Sequence, residues 1–495
     1  MADAPPSSFT DGLDVNLIDG RLAPATGRGT FSTIDPATEE VLGNAADGTA
    51  EDMDAAIGAA RAAFDEGCWA NDSAFRASCL RQLRAALQSQ GEEFRALTTA
   101  EVGAPAFLTS GPQFDIPVED LEFYADLAEN YDRWKVDMGE ASPVGMLSKR
   151  WVMREPAGVV GAITPWNFPH QINFAKLGPA FAAGCTVVLK PAPDTPWCAS
   201  AVARVVAEQT DIPAGVFNVV NSSDHAIGAQ LSADPRVDLV SFTGSTNTGR
   251  AVMRSAANNL TKVFLELGGK SAFIVLDDAD VASAAGMAAF MVSTHAGQGC
   301  AITTRLLVPR ALHDQVVEAT AATMTALAAG DPTQAGVVCG PVISARQRER
   351  IEGYLRVATD EGGTFVCGGG RSPDFDRGFF IDPTLVVGLD NSSRVAREEI
   401  FGPVLTVIPF DDDADAIRIA NDSPFGLSGA IFSDDEERAL AVAAKVRTGT
   451  LGINGGVWYS ADMPFGGYKQ SGIGREMGIA GFEEYLETKS IAIAR

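Results

Sequence analysis

The chain is poor in basic residues and in histidine. Its 495 residues include 38 Lys plus Arg against 64 Asp plus Glu, so the formal net charge is −26 at pH 7, and there are only 4 His. Proteins that bind DNA or RNA cluster Lys and Arg to meet the phosphates, so this composition argues against a nucleic-acid partner. It does not exclude an anionic small molecule held in a local pocket.

The chain also lacks a cysteine framework and a leader-like start. Its 7 Cys are odd in number and scattered, without C-x-x-C, which disfavours a disulfide scaffold and a zinc site, so no metal is expected. Residues 1–6 read MADAPP, with neither a basic region nor an apolar core, so we expect a cytoplasmic protein. The longest stretch without Asp, Glu, Lys or Arg, 281–304, predicts a buried helix and a loop and not a membrane span.

What is present from about residue 156 onward is an alternation of short apolar runs and amphipathic stretches. Such a pattern indicates βαβ units with a parallel sheet covered on both faces, hence a doubly wound α/β domain. A second series of the same kind follows Gly268-Gly269. The strand-like runs of the first series are 158–163, 186–189, 216–220, 238–242 and 263–267, and those of the second are 272–276, 306–308, 364–366, 404–408, 430–432 and 450–453.

Three segments lie outside these alternating series. Thr49 followed by Ala, Glu and Asp predicts a capping box at the start of a helix. Residues 134–154 are turn-rich between short β-like pieces and suggest an excursion out of the first domain. The tail 489–495 alternates with period 2 and predicts a strand, which pairs either with another subunit or at the edge of its own sheet.

Glycine-rich segments resembling phosphate loops mostly fail on spacing. Gly269-Lys270-Ser271 resembles the end of a Walker A loop, but Phe264 stands where its first Gly belongs. The turn at Gly244 and Ser245 does follow a strand and precede a helix, as a pyrophosphate site would. Strand–Gly–helix turns without a ligand are common, so this signal is weak alone.

Four polar residues stand in places where chemistry is plausible. Cys300 lies between small residues, which leaves a thiol accessible, although a lone Cys is more often a buried small hydrophobe. Glu266 ends an apolar strand, where burial would raise its pKa toward that of a general base; a salt-bridged Glu is the alternative. Asn167 between two prolines offers a fixed amide donor, and Lys190 ends a strand where ligands bind in open α/β sheets; a plain loop Asn and a solvated Lys are their alternatives.

Together these residues resemble the NAD(P)-dependent aldehyde dehydrogenase superfamily over about residues 15–493. Seven segments in the family's order carry the resemblance: Pro165-Trp-Asn-Phe-Pro, Leu189-Lys-Pro, Phe242-Thr-Gly-Ser, Leu265-Glu-Leu-Gly-Gly-Lys, Gly297-Gln-Gly-Cys, Glu398-Glu-Ile-Phe-Gly-Pro and Pro464-Phe-Gly-Gly-Tyr-Lys-Gln-Ser-Gly.

The resemblance implies two doubly wound α/β domains and a small β element for oligomerisation. We place a cofactor-binding domain at 1–133 and 155–266, a catalytic domain at 267–460, and a bridging element at 134–154 and 461–495. The family also implies a homodimer or homotetramer, with no membrane partner.

The implied reaction is oxidation of an aldehyde to the acid. Cys300 attacks the carbonyl, and Asn167 with the Cys300 backbone N–H holds the oxyanion of the thiohemiacetal. Hydride passes to the nicotinamide, and Glu266 activates the water that releases the thioester. Carried over by motif, the cofactor residues are Trp166, Lys190, Gly244, Ser245, Gly249, Glu399 and Phe401.

One departure concerns the choice between NAD and NADP. The family often has a Glu three residues after the motif Lys, where it binds the adenosine ribose and repels a 2′-phosphate. Here Pro193 holds that position, followed by Asp194. Pro193 cannot bind the ribose, and Asp194 is the remaining acidic residue that could repel a 2′-phosphate. We expect NAD, with NADP as the alternative.

The substrate is predicted from the pocket candidates Phe168, Ile172 and Trp458, with Phe174, His295 and Tyr459 as further candidates. No Arg lies in these segments to bind a carboxylate, so we expect an apolar aldehyde, medium-chain, aromatic or terpenoid. Two alternatives stay open: a CoA-acylating enzyme of the same fold, which needs no water-activating Glu266, and a non-catalytic binding protein.

Overall fold

A computed structural model describes residues 5–495 of the chain. The strands are β1 Asn16–Ile18, β2 Arg21–Ala23, β3 Thr30–Ile34, β4 Val41–Ala46, β5 Lys135–Ala141, β6 Ser148–Pro156, β7 Val159–Ile163, β8 Thr186–Lys190, β9 Phe217–Val219, β10 Leu239–Thr243, β11 Lys262–Glu266, β12 Ser271–Val275, β13 Thr303–Pro309, β14 Thr364–Cys367, β15 Thr384–Val387, β16 Val404–Phe410, β17 Gly429–Phe432, β18 Gly452–Ile453, β19 Gly472–Ile473 and β20 Leu486–Ala494.

The α-helices between them carry the amphipathic stretches. They are α1 Ser7–Thr10, α2 Ala50–Glu66, α3 Ser73–Ser89, α4 Gly91–Val102, α5 Ala106–Thr109, α6 Asp115–Glu119, α7 Leu121–Asn130, α8 Pro169–Ala183, α9 Pro196–Gln209, α10 His225–Ala233, α11 Thr246–Ala256, α12 Val281–Ser293, α13 His313–Ala326, α14 Ala345–Asp360, α15 Arg394–Arg397, α16 Asp413–Asn421, α17 Glu436–Ala443 and α18 Gly478–Glu483.

The first sheet has eight strands in the order β19-β11-β10-β7-β8-β9-β1-β2. Its central strands β7 to β11 run parallel, and every residue of β8 and β10 is buried because helices cover both faces. From β7 the chain winds outward through β8 and β9, and then returns to place β10 on the other side of β7. The expected doubly wound α/β domain is confirmed, with its strand order reversing between β7 and β10.

The second sheet has seven strands in the order β14-β15-β16-β13-β12-β17-β18, parallel except for β14. Its strands include the six predicted runs after residue 268. Strand β15, a run of four residues between Pro383 and Gly388, is not among the predicted strands. The two-sheet α/β architecture is therefore as predicted.

A three-stranded sheet in the order β20-β6-β5 lies apart from the two larger sheets. The turn-rich segment 134–154 supplies β5 and most of β6. The tail pairs antiparallel with β6 over nine residues, from Leu486 opposite Pro156 to Ala494 opposite Ser148. Within the segment 461–495, β19 instead pairs with β11 of the first sheet. The proposed domain limits remain a prediction.

Local signals placed several helices correctly. The Thr49 side chain accepts from the Asp52 backbone N–H, and the Asp52 carboxylate accepts from that of Thr49, so the capping box is confirmed. The uncharged stretch 281–304 forms α12, whose alanines pack on the second sheet, followed by a loop. Within residues 5–495, no helix combines the length and apolarity needed to cross a membrane.

Candidate active site

A cavity of about 840 Å³ opens between the first and second sheets. That volume suits a ligand of dinucleotide size. The predicted residues that line it are Trp166, Asn167, Ile172, Lys190, Gly244, Ser245, Glu266, Cys300, Glu399 and Phe401. Six other predicted residues do not line the cavity, and their positions are described below: Gly249, Phe168, Phe174, His295, Trp458 and Tyr459.

The first sheet delivers its site residues from the carboxyl ends of its parallel strands. Trp166 and Asn167 follow β7, Lys190 ends β8, Ser245 follows β10, and Glu266 ends β11. The reversal of strand order between β7 and β10 leaves a crevice at this edge, since the flanking connections run to opposite sides. Ligands of open α/β sheets bind in such crevices.

The second sheet contributes Cys300 from the loop between α12 and β13. That loop begins with three consecutive residues in the left-handed region: His295 (φ 51°), Ala296 (φ 51°) and Gly297 (φ 70°). A side chain on Gly297 would overlap the Gly402 backbone carbonyl. The loop is therefore held against the segment that carries Glu399 and Phe401.

The Cys300 thiol sits in a strongly acidic surrounding. Burial raises the pKa of Cys300, and the carboxyls of Glu266, Glu399 and Glu476 raise it further; the Ala301 N–H at the sulfur acts the other way. The side chain nevertheless keeps partial exposure at the cavity. A thiol with a raised pKa must give up its proton to a nearby base as it attacks.

Asn167 is held firmly beside Cys300. Its side-chain Nδ2 donates to the backbone carbonyl of Gln298 at 2.9 Å. Its own backbone carbonyl accepts from Gln113 Nε2 at 2.8 Å and lies 2.9 Å from His295 Nε2. One N–H of the Asn167 amide remains for a ligand, because an amide group has two donors.

His295 supports Asn167 from the protein interior. Burial lowers the pKa of His295 to about 4, so its imidazole is neutral at physiological pH. Because a carbonyl only accepts, Nε2 of the neutral ring must carry the proton that reaches the Asn167 oxygen. His295 is fully buried and does not line the cavity, so it is a positioning residue.

Glu266 is a buried carboxylate without a hydrogen-bond partner on either oxygen. Burial raises its pKa well above the usual range, Glu476 raises it further, and Lys176 and Arg475 lower it. A side chain on Gly466 would lie 2.7 Å from Glu266 Oε1, so the glycine leaves room for the carboxylate. A carboxylate that faces a cavity, has no hydrogen-bond partner and has a raised pKa has the properties of a general base.

A buried ion pair lies behind Glu266. Lys176 Nζ is 2.8 Å from Glu476 Oε1 and also donates to Ser241 Oγ at 3.0 Å. Ser241 Oγ is in turn 3.2 Å from the hydroxyl of Tyr485. The pair belongs to helix α8 and to the chain just before α18, so it ties the first sheet's helical layer to the carboxyl-terminal segment.

Lys190 lines the same cavity as the thiol. Its Nζ donates to the backbone carbonyls of Pro191 (3.2 Å) and Ser222 (3.1 Å). Burial lowers the pKa of Lys190 to about 8, although Asp194 and Asp224 oppose the shift. The amine therefore stays at the end of β8, where it can donate to hydroxyl groups of a ligand.

Glu399 closes the cavity on the side of the second sheet. Its Oε1 accepts from the Gly269 N–H at 2.9 Å, and a side chain on Gly268 would overlap its carboxylate. Phe401, at φ 62°, packs edge-on against the Trp166 ring with centroids 5.4 Å apart. The Gly268-Gly269 pair is thus needed for the close approach of Glu399.

Pro193 and Asp194 line the cavity near Lys190. The Asp194 carboxylate is 3.6 Å from the Arg346 guanidinium. Burial raises the pKa of Asp194, and Arg346 and His225 lower it. An acidic side chain therefore stands one residue beyond the position where the family often has Glu.

The turn at Ser245 starts helix α11. Ser245 Oγ caps the helix by accepting from the Thr248 N–H at 3.2 Å. Gly249 faces the other way: a side chain there would lie 2.5 Å from Leu267 Cδ2. Gly249 thus permits close packing of α11 on the loop after β11, and it does not line the cavity because the helix turns it toward the sheet.

Aromatic side chains share a hydrophobic cluster with Cys300. Trp458 and Tyr459 pack with Phe465 and Cys300, and the Trp458 and Phe465 rings stack with centroids 5.5 Å apart. Phe168 packs on His295 at 5.3 Å. Phe174, also a pocket candidate, is buried in the core of the first domain instead.

Four residues that position the site are not among the predicted ones: Gln113, Gln298, Lys176 and Glu476. Gln298 is fully buried, donates to the carbonyls of His295 and Pro341 and accepts from Ile343, so it fixes the loop before Cys300. The sequence does contain a signal for Gln298, because it is a polar residue between two glycines in a stretch without charged residues, which indicates a buried side chain with a structural role. For the others the partner lies far away in sequence.

The chain is similar to known proteins over nearly its whole length. The model of the aldehyde dehydrogenase family matches residues 23–491. The chain is 42% identical over 479 residues to the 3-succinoylsemialdehyde-pyridine dehydrogenase of a Pseudomonas species, covering 96% of this chain and 97% of that protein. It is 41% identical over 461 residues to the geranial dehydrogenase of Castellaniella defragrans, covering 92% of this chain and 94% of that protein. The structure of a Mycobacterium tuberculosis aldehyde dehydrogenase complexed with NAD+ has a TM-score of 0.93 and 41% identity over 97% of this chain and 98% of that chain.

Proposed function

The chain belongs to the aldehyde dehydrogenase family, and we propose that it oxidises an apolar aldehyde to the carboxylic acid with NAD+ through a thioester on Cys300. The observation that carries the proposal is the convergence of three groups on one cavity. They are the Cys300 thiol, the anchored Asn167 amide and the unpaired carboxylate of Glu266.

The residues of the cavity fit a dinucleotide. Lys190 and Glu399 stand where they can bind ribose hydroxyls, and the capped start of α11 at Ser245 faces the cavity with backbone N–H groups suited to a pyrophosphate. Phe401 and Trp166 offer apolar ring surface beside them. When bound, NAD+ supplies the acceptor for the hydrogen and two electrons that leave the aldehyde carbon.

The protein's own groups perform the covalent steps. Cys300 Sγ bonds to the aldehyde carbon while its proton moves to Glu266, whose oxygens have no other partner. The free N–H of Asn167 and the Cys300 backbone N–H stabilise the negative charge on the former carbonyl oxygen. After oxidation to the thioester, Glu266 first releases the proton it took from Cys300 to solvent. It then takes a proton from water as the water oxygen attacks the acyl carbon, and Cys300 leaves as the thiolate.

The proposed preference for NAD over NADP rests on Asp194. Its carboxylate lines the cavity near Lys190, where it would repel a 2′-phosphate. Asp194 would thus take the role of the glutamate that the family often has at the position of Pro193. Arg346, 3.6 Å away, weakens that repulsion. Asp194→Asn should therefore improve kcat/KM with NADP by about tenfold, one charge contact being worth about 1.4 kcal/mol, and leave NAD use nearly unchanged; equal effects on both cofactors would contradict this role.

An apolar substrate is supported by the aromatic wall of Trp458, Tyr459 and Phe465 beside the thiol. The likeness to a geranial dehydrogenase points in the same direction.

The two rival functions make different predictions. A CoA-acylating enzyme would hand the acyl group to CoA and has no use for the buried Glu266, which in this chain is kept unpaired and facing the cavity. A non-catalytic binding protein has no use for an anchored Asn167 amide beside a thiol. We retain the hydrolytic reaction for these reasons.

The proposed homodimer or homotetramer is supported by the three-stranded sheet. Its edge strand β20 exposes Ile491 and Ile493 in a single chain. Apolar side chains on an unpaired edge favour association with a second copy. Sedimentation equilibrium should give a mass of two or four chains; a monomer would contradict the proposal.

The test of the reaction is the reduced-nicotinamide absorbance with a panel of aldehydes and both cofactors, with and without CoA. We expect the carboxylic acid as product, no effect of CoA, and a lower kcat/KM for succinic semialdehyde than for an apolar aldehyde. Cys300→Ala should abolish turnover. Glu266→Gln should give a burst of reduced cofactor and an acyl-enzyme detectable by mass spectrometry. Full activity of Cys300→Ala would sink the assigned nucleophile, and Cys68→Ala, at an exposed cysteine, is the matched control.

A further inference from the structure

A second, much smaller cavity is lined by the start of strand β12, a few residues after Glu266. Its volume is about 20 Å³, enough for one water-sized group and nothing larger. Lys270, Ser271, Ser428 and Thr448 are among the residues that line it. The cavity belongs to the second sheet and is distinct from the cofactor cavity.

The polar atoms of these four residues lack partners. Lys270 is 2% exposed, and its Nζ has no hydrogen-bond partner. The same is true of the hydroxyl oxygens of Ser271, Ser428 and Thr448. An ammonium has three donors and no acceptor, and each hydroxyl has one donor, so the group is rich in donors. A buried donor without an acceptor is costly, which indicates an occupant that accepts several hydrogen bonds.

The charge around the cavity is positive. Arg305 and Arg447 line it with Lys270, and no Asp or Glu does so within the described residues 5–495. The hydrogen bonds of Arg305 go to uncharged oxygens, those of Lys270, Asn391, Ile419 and Ala420. Burial and Arg305 lower the pKa of Lys270 to about 7, while Glu399 opposes the shift. Of these three cations Lys270 and Arg305 are buried, and an anion in the cavity would offset their charge.

We propose that this cavity is a binding site for a single small anion of the halide type, chloride in solution, held by Lys270 Nζ and the hydroxyls of Ser271, Ser428 and Thr448. A water molecule fits the volume equally well, but it accepts at most two hydrogen bonds and brings no charge. Sulfate and organic anions are too large for the cavity.

The site adjoins the segment 268–271, which contacts both Glu399 and the loop that carries Cys300. The Gly269 N–H donates to Glu399, and the Lys270 carbonyl accepts from Arg305 Nε at 3.0 Å. A side chain on Gly269 would also overlap the Cys300 carbonyl. An anion at Lys270 would therefore hold in place the segment from Gly268 to Ser271, on which the approach of Glu399 depends.

The direct test is anomalous diffraction from crystals of the whole enzyme grown or soaked with sodium bromide. Bromide replaces chloride and scatters anomalously at its absorption edge. We expect a peak in the small cavity, at hydrogen-bonding distance from Lys270 Nζ. Crystals of Thr448→Val and of Ser428→Ala should show a weaker peak there, and Lys270→Met should show none.

The second test measures Tm in sodium chloride, sodium bromide and sodium gluconate at constant ionic strength. A ligand that binds only the folded state raises Tm in a saturable way, so chloride and bromide should raise it by on the order of 1 to 3 °C relative to gluconate. The halide effect should vanish in Lys270→Met and fall in Thr448→Val. Lys445→Met, which removes an exposed lysine near the cavity, should keep the full effect.

The outcomes separate cleanly. A bromide peak that depends on Lys270, with the halide-specific rise in Tm, supports the proposal. Ordered water in the cavity without bromide density, or equal Tm in halide and gluconate, overturns it. If Lys270→Met does not fold, the two hydroxyl variants alone decide, because each keeps the lysine and removes one donor.

Discussion

Replacing Glu476 with glutamine should make the enzyme work at lower pH. Glu266 must be ionised to take a proton from water, and burial together with the like charge of Glu476 keeps its pKa raised. Glu476→Gln removes that charge and keeps the side-chain size. It also leaves Lys176, now 2.8 Å from the Glu476 carboxylate, free to attract Glu266. Both changes favour the ionised form of Glu266, so its pKa falls.

The size of the effect follows from general electrostatics. Removing a nearby like charge lowers a carboxyl pKa by about one unit, equivalent to about 1.4 kcal/mol. At a pH one unit below the original pKa, the ionised fraction of Glu266 would rise from about one-eleventh to about one-half, roughly a fivefold faster release of the acyl group. The plateau at high pH should fall slightly, because a base of lower pKa is a weaker base.

The assay is the decay of acyl-enzyme after rapid quench, followed by mass spectrometry between pH 5 and 9. Lys176→Met should move the acid limb the other way, toward higher pH, because it removes the attracting cation. The double variant should return toward the wild-type position, since it removes both charges. Glu318→Gln, at an exposed position on α13, is the control. An acid limb that stays in place or moves upward in Glu476→Gln would refute the reasoning.

The remaining predictions concern positioning. Gly297→Ala should lower stability by more than about 2 kcal/mol and kcat by more than tenfold, because it places a methyl group on the Gly402 carbonyl at positive φ. The control is Gly286→Ala in α12, where the added methyl group meets nothing and Tm should rise slightly. Equal effects of the two substitutions would contradict the strain argument. Gln113→Leu removes a donor to the Asn167 carbonyl and should lower kcat about fivefold, the value of one hydrogen bond, with KM for NAD+ unchanged; a KM effect alone would contradict this. Trp458→Ala should raise KM for apolar aldehydes more than for acetaldehyde, and a uniform change would argue against its place in the substrate pocket.

The parallel strands were predictable because their physics is local. Both faces of β8 and β10 are buried, so their sequences are continuous apolar runs that stand out between helical stretches. The run that forms β15 has only four residues and is followed by a glycine, so it resembled a loop. The hairpin of β1 and β2 was missed for a similar reason, since each strand has three residues.

The reacting groups of the site were predictable because each belongs to a short motif. Cys300, Glu266 and Asn167 are recognised from their immediate neighbours. The groups that tune them are not: Gln113 is 54 residues from Asn167, and Lys176 is 300 residues from Glu476. Folding brings these pairs together, and no local pattern signals them. The same holds for Lys270, because only the folded structure shows that its ammonium group and the nearby hydroxyls lack hydrogen-bond partners.

The three-stranded sheet has a consequence for how the chain is made. Strand β6 pairs with β20, and the two strands are joined by the Lys489–Glu155 ion pair between residues 334 apart in sequence. At ribosomal speeds of about 5–20 residues per second, β6 waits for roughly 15 to 70 seconds before its partner is synthesised. During that interval it exposes an unpaired edge to every other nascent chain on the polysome. The demand for a chaperone should therefore persist through most of translation, from the emergence of β6 to that of the last strand.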